Sequence, residues 1–215
     1  MTPSKGIFIL IAGGNASGKT TVIKPKYVDG RVKHYLDPDR LLPIAESDIL
    51  SSKTLEFYRK NIPARFAAEC MKDWLASERI CNEGIATESN LVTKKHDFDC
   101  FESAKKAGMR TELYFVGIPL ETAIEREQLR AGEGKQKKIK TSDIARRYNG
   151  LFNIQKHIDS GNVDVIKIYD KSRGSGEEYL LLHIEGGKTV YLHPEPPQWF
   201  RDAGIVYAWV FLGEE

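Results

Sequence analysis

The chain is 215 residues long, 41% hydrophobic and 29% charged, with a formal net charge of +2. This length suits one α/β domain with room for a modest appendage, and the apolar fraction is enough for a real core. So small a charge gives no argument for nucleic acid, and no stretch approaches the roughly 18 apolar residues of a membrane helix. Neither a nucleic-acid nor a membrane partner is therefore expected.

In chain order, Ile7-Phe8-Ile9-Leu10-Ile11 reads as a buried strand. It is too short for a signal peptide and leads straight into Gly13-Gly14-Asn15-Ala16-Ser17-Gly18-Lys19-Thr20, a full match to G-x-x-x-x-G-K-[ST]. A strand before this motif and a helix start behind it, from Thr21, is the setting of a phosphate loop. Gly13, Gly14 and Gly18 let the backbone turn so that successive N–H groups face phosphate oxygens. The following helix adds its positive dipole end. Lys19 can reach the β- and γ-phosphates of ATP, and the Thr20 hydroxyl can ligate Mg²⁺. Gly13 to Thr21 are the candidate cofactor-binding residues, and Thr20 the candidate metal ligand.

Pro25 is expected to end the first helix early. Val32 to Leu36 is a second strand, running into the turn Asp37-Pro38-Asp39-Arg40. A helical stretch from about Ser52 to Asn82, broken near Pro63, carries Phe66, Cys70, Trp74 and Leu75 at helical spacing as a core stripe. Gly84 closes it, and Ile85 to Glu88 is a short buried strand ending on a carboxylate. Helix 96–107, strand 111–116 and a helix opened by Pro119 follow. Residues 131–140 are glycine-rich and basic, either a lid over phosphates or a plain solvated loop. A helix capped by Thr141 or Ser142 continues to about Asp159, before a strand over 163–169. Five alternations of strand and helix predict a parallel sheet covered on both faces, with the ligand at the carboxyl ends of the strands. Beyond Gly174-Ser175-Gly176, two runs flank Glu185-Gly186-Gly187, a hairpin signal, and 205–212 reads as another strand. Cys70, Cys81 and Cys100 form no C-x-x-C pair and read as reduced thiols, which points to the cytoplasm.

These pieces resemble the zeta-toxin and UDP-N-acetylglucosamine-kinase family of phosphate-loop kinases over roughly residues 6–172. The resemblance rests on the loop and on Asp37-Pro38-Asp39-Arg40, Thr87-Glu88-Ser89-Asn90-Leu91, Tyr114 to Pro119, Arg126 to Arg130, Arg146-Arg147-Tyr148 and Ile168-Tyr169-Asp170. Ser89 and Asn90 stand where the family has two substrate-contacting threonines. The resemblance implies a three-layer P-loop NTPase fold with a mainly parallel five-stranded sheet, residues 1–174, plus a small antiparallel appendage, residues 175–215. It also implies an ATP-dependent kinase with Mg²⁺, a small-molecule acceptor such as a UDP-amino-sugar, and an antitoxin-like protein partner. The alternatives are a nucleoside or nucleic-acid-end kinase and a nucleotide-binding regulatory module.

Phosphoryl transfer needs positioning, charge neutralisation and a proton acceptor. Lys19 serves the donor side. Asp39, just past a strand end, is the candidate general base, its alternative being a helix cap. Asp39, Glu88 and Asn90 are the candidate substrate-binding residues, and Glu88 can instead hold a metal-bound water. Arg126 and Arg130 share a helix face, and Arg130 beside the basic loop is the better candidate for stabilising transferred charge. Arg146 and Arg147 point apart on their helix, and the family's Arg-Tyr pair favours Arg147.

Overall fold

A strand covered on both faces should be apolar along its whole length rather than on alternate residues. Ile7–Gly13 (β1) has that character, buried from Phe8 onward, and lies inside the sheet. The structure, a computed structural model, describes residues 5–37, 63–91, 94–133, 139–172 and 178–205. One sheet has the order β2 (His34–Leu36), β3 (Ile85–Ser89), β1, β4 (Arg110–Gly117), β5 (Val165–Asp170), β6 (Tyr179–Glu185), β7 (Lys188–Leu192). The first five strands run parallel, and β6 and β7 run antiparallel. The hairpin thus continues the sheet, with β6 laid along β5.

Period-2 alternation sends β1 side chains to two cores. Phe8, Leu10 and Ala12 face a large one shared with Leu113, Phe115, Ile166 and Ile168. It is closed by α2 (Pro63–Ala76), α3 (Glu78–Glu83), α4 (Lys94–Lys106) and α7 (Ile154–Asp159), with Phe101 edge-on to Phe8 at 5.3 Å. Ile9 and Ile11 face the other core, where Ile23 and Val28 of α1 (Lys19–Val28) meet Tyr114, Val116 and Tyr169. A small third core joins Ala123 of α5 (Leu120–Gly132) to Ile144 of α6 (Thr141–Tyr148). Among the described residues, no helix is long and apolar enough to cross a membrane. All three cysteines are buried free thiols.

Three elements differ from the sequence expectation. Helix α1 does not stop at Pro25 but runs to Val28 as a π-type helix, Asp29 N–H bonding to the Lys24 carbonyl at 3.0 Å. Tyr27 near its end stacks on Tyr114, with ring centroids 4.5 Å apart, and Arg31 beyond it grips buried Glu112 through two hydrogen bonds of 2.9 and 3.0 Å. These tertiary anchors outweigh the loss of one backbone donor at proline. The helix expected over 141–159 is interrupted by a 3₁₀ turn, Asn149–Asn153. There Gly150 packs so close to β3's exit that a Cβ would lie 1.9 Å from the Asn90 carbonyl oxygen. A short helix, α8 (Gln198–Asp202), follows the hairpin, where the sequence pattern predicts no element. The expected strand over 205–212 lies, from residue 206 on, outside the described residues.

Candidate active site

Strands β3, β1 and β4 end side by side, because Ile11 pairs with Glu88 and Tyr114, and Gly13 with Val116. The loop Gly13–Thr20 therefore leaves the sheet between two neighbouring strand ends. Gly13 has φ 148, and a Cβ there would sit 2.4 Å from the Val116 carbonyl oxygen and 2.8 Å from Ser17 Oγ. Gly18 has φ 93 and stands at the start of α1, while Ala16 takes φ 53 without being glycine. Gly14, by contrast, has open space where its Cβ would be. Within the chain itself, sterics demand glycine at position 13 and leave room for a Cβ at position 14. Gly13→Ala is expected to cost about 2–5 kcal/mol, from backbone strain plus overpacking. Gly14→Ala should change stability by about 0.5 kcal/mol or less. Thermal unfolding of the two variants beside the parent checks the contrast.

Lys19 Nζ lies over the loop, donating to the Gly13 and Gly14 carbonyls at 3.1 and 3.2 Å. Thr20 Oγ1 donates to Glu88 Oε1 at 3.0 Å, and Tyr35 of β2 donates to the same oxygen. Thr21 Oγ1 turns back to the Gly18 carbonyl at 3.2 Å. Buried Ser17 Oγ has no hydrogen-bond partner among the described residues. A cavity of about 60 Å³ is lined by Ala16, Ser17, Gly18, Lys19, Thr20, Thr21 and Arg130. Its donors are N–H groups, hydroxyls and cations, which suits an anion of phosphate size.

The arginines separate cleanly. Arg126 spans two carbonyls, Ala16 at 3.4 Å and Lys171 at 3.0 Å, and so braces the loop rather than facing the cavity. Arg130 is exposed at the cavity edge, 3.8 Å from Glu127. Arg147 reaches Asn15 Oδ1 at 3.3 Å, while Arg146 points out to Asp143 at 3.3 Å. Asp37 is buried at the end of β2. Asp39 and residues 134–138 lie outside the described residues, and with them the candidate base and most of the basic run.

Beyond Glu88 the chain turns sharply: Ser89 Oγ accepts from Leu91 N–H at 2.9 Å and donates to Asp97 Oδ2 at 2.9 Å. Asn90 takes part through its backbone, under Gly150. Burial pushes the Asp97 carboxyl up to about 7, with the Ser89 bond opposing. Nearby His157, 1% exposed and stacked on Phe98 at 4.1 Å, is pushed down to about 4 by burial. The two act in opposite senses. Folded His157 refuses a proton that the unfolded chain takes near 6.5, so its share of stability falls as pH drops from about 6.5 toward 4. Folded Asp97 keeps a proton that the unfolded chain loses near 3.8, so its share rises as pH drops from about 7. Each is worth about 2 kcal/mol between pH 7 and 5. Asp97→Asn should therefore lose stability on acidification relative to the parent, and His157→Phe should gain it. Denaturant unfolding at the two pH values reads this directly.

No protein-family model matches the chain, and no curated protein matches it. Solved structures do. A chain of the AvrRxo1-ORF1:AvrRxo1-ORF2 complex with sulphate ions superposes over 86% of this chain at 15% identity, with a TM-score of 0.60. The same complex with ATP gives 16% identity and a TM-score of 0.57. A chain from the PezAT chromosomal toxin–antitoxin system of Streptococcus pneumoniae covers 83% at 18% identity, with a TM-score of 0.54. The chain has their fold. The resemblance to the zeta-toxin group is thereby borne out for the architecture: a mainly parallel sheet between helices, ending in antiparallel strands. The match spans 60% of the AvrRxo1 chain's length and 73% of the PezAT chain's.

Three site features escaped sequence reasoning. The loop brace by Arg126 depends on the Lys171 carbonyl, far away in sequence. The Tyr35–Glu88 bond follows from β2 lying beside β3, which the short run 34–36 does not announce. Trp199 enters from α8, whose one sequence signal is Pro196-Pro197 before a short polar–aromatic run.

Proposed function

We propose that the chain is an ATP-dependent kinase of zeta-toxin type, which passes the γ-phosphate to a hydroxyl of a small molecule. One observation carries this reading: the Lys19 ammonium lies over a phosphate loop whose Thr20 hydroxyl faces the Glu88 carboxylate at 3.0 Å. Two hard oxygen donors at that spacing suit Mg²⁺, so Thr20 and Glu88 are the residues that would hold it, Glu88 directly or through a water. When bound, the ion would neutralise phosphate charge. Lys19 and the loop N–H groups orient the β- and γ-phosphates, Arg130 and Arg147 offset charge on the transferred group, and Asp39 takes the acceptor's proton. Glu88 and Asn90 flank the acceptor side, where a UDP-amino-sugar is the candidate class. Residues 1–174 form the kinase unit in this reading, and 175–215 an appendage that extends its sheet.

The test is mass spectrometry of a metabolite extract incubated with the protein and Mg-ATP. A newly phosphorylated metabolite, absent when Lys19→Ala replaces the parent, supports the kinase. ATP left intact in every extract, or consumed without a phosphorylated product, would count against it. A second reading adds a protein partner. It is supported by the likeness to chains from the AvrRxo1-ORF1:ORF2 complex and from a toxin–antitoxin system. An antitoxin-like protein binding this chain is compatible with the kinase.

A further inference from the structure

Helix α8, beyond the hairpin, reaches the phosphate loop through Trp199. Trp199 of α8 is 6% exposed and packs against Gly117 at the end of β4. A Cβ on Gly117 would meet its ring at 2.1 Å, so this approach exists because residue 117 is glycine. The indole lines a small gap together with Gly14 of the loop, Ile118, Ala123 and Tyr148 of α6. Its Nε1–H donates to Asp170 Oδ1 at 3.1 Å.

Asp170 is 2% exposed at the end of β5, and it holds the next turn by accepting from Ser172 N–H at 3.0 Å and Ser172 Oγ–H at 2.7 Å. Within that turn the Lys171 N–H is pinned to the Gly117 carbonyl at 3.0 Å, and the Lys171 carbonyl accepts from Arg126. Arg126's other nitrogen holds the Ala16 carbonyl, at a residue whose backbone sits in the left-handed region that side chains disfavour. The contacts are continuous from α8 to the least relaxed peptide of the phosphate loop.

We propose that Trp199 is a positioning residue for the nucleotide site, holding the 170–172 turn so that Arg126 can fix the Ala16 peptide of the phosphate loop. This rests on the loop being a nucleotide site. A bound phosphate needs loop amides held in one arrangement, and preorganised donors bind more tightly than mobile ones. The dependence should appear in ATP affinity more than in turnover at saturation, because Trp199 touches no reacting atom.

Trp199→Phe keeps a ring over Gly117 but cannot donate to Asp170. Arg126→Lys keeps the charge but cannot span two carbonyls, and it sits half-buried where folding should survive. Each should weaken Mg-ATP binding by calorimetry about 5- to 10-fold, as loss of a hydrogen bond worth roughly a decade in affinity implies. ATP turnover at saturating ATP should stay within about twofold, giving a KM effect without a kcat effect. The double variant should bind no worse than the weaker single one, since both break one relay. The change in tryptophan emission on adding Mg-ATP should be present in the parent and largely lost in Trp199→Phe.

ATP affinity unchanged in both single variants, or losses that add in the double variant, would overturn the relay. Lys19→Ala, run alongside, separates the two levels. If it loses ATP while Trp199→Phe and Arg126→Lys keep it, the relay alone falls. If it too binds ATP normally, the nucleotide site falls and the relay with it.

Discussion

Lys19→Ala is expected to weaken ATP binding on the order of 10- to 100-fold, the effect of losing hydrogen bonds from a cation to an anion. Turnover should fall by on the order of 10²–10³, as when one preorganised donor to a developing charge is removed. The variant should remain folded. In the free protein the ammonium contributes hydrogen bonds of 3.1 and 3.2 Å to the Gly13 and Gly14 carbonyls, on a half-buried surface. Losing these costs the loop about 1 kcal/mol. The loop's shape is also held by Arg126 and by the Gly13 and Gly18 dihedrals, which the substitution leaves alone. Calorimetric titration with Mg-ATP beside thermal unfolding separates affinity from folding. Undiminished ATP binding in a folded variant would remove the basis of the kinase reading.

Asp39→Asn should do the reverse: keep ATP and lose transfer. Asparagine has the size and much of the hydrogen bonding of aspartate but cannot take a proton. If Asp39 is the general base, phosphoryl transfer should fall on the order of 10²–10⁴-fold while the Kd for Mg-ATP stays near the parent's. The argument is one of placement. β2 ends at Leu36, parallel to β1, so the segment that follows starts on the phosphate-loop side of the sheet. Asp39 itself lies outside the described residues. If it only caps a helix, asparagine caps as well and neither stability nor activity moves. The assay is product formation with the acceptor, or slow ATP hydrolysis until the acceptor is found. Asp37→Asn serves as the control and should cost much less. Full transfer in Asp39→Asn would move the base elsewhere.

The features legible in the sequence were those carried by neighbours in the chain. The phosphate loop is one, since the Gly, Lys and Thr spacing states its own geometry. The central strands are another, since β1, β3, β4 and β5 are short β-prone stretches with apolar stretches at their cores, bounded by turn residues. Local signals failed where a distant contact outweighed them. Pro25 is a helix breaker, yet the Tyr27–Tyr114 stack and the Arg31–Glu112 pair carry α1 past it. Residues 149–153 look helical, yet Gly150 must lie against the Asn90 carbonyl and the helix gives way. The hairpin was expected as an appendage, and only pairing of β6 with β5 shows that it extends the same sheet. At the site, Lys19, Thr20 and Glu88 came from motif and strand-end logic. The role of Arg126 did not, because two carbonyls 155 positions apart in the chain define it: Ala16 and Lys171.

The central place of β1 also sets an order of events during synthesis. β1 is made first, but its partners, Ile85–Ser89 and Arg110–Val116, come some 75 and 100 residues later. At about 5–20 residues per second the ribosome needs roughly 5–20 seconds to supply both. Throughout that interval Ile7-Phe8-Ile9-Leu10-Ile11 is an uncharged, proline-free apolar segment without a sheet, the composition that self-associates most readily. The strand that leads into the Gly13–Thr20 loop is therefore a part of the nascent chain that needs shielding until β4 has been made.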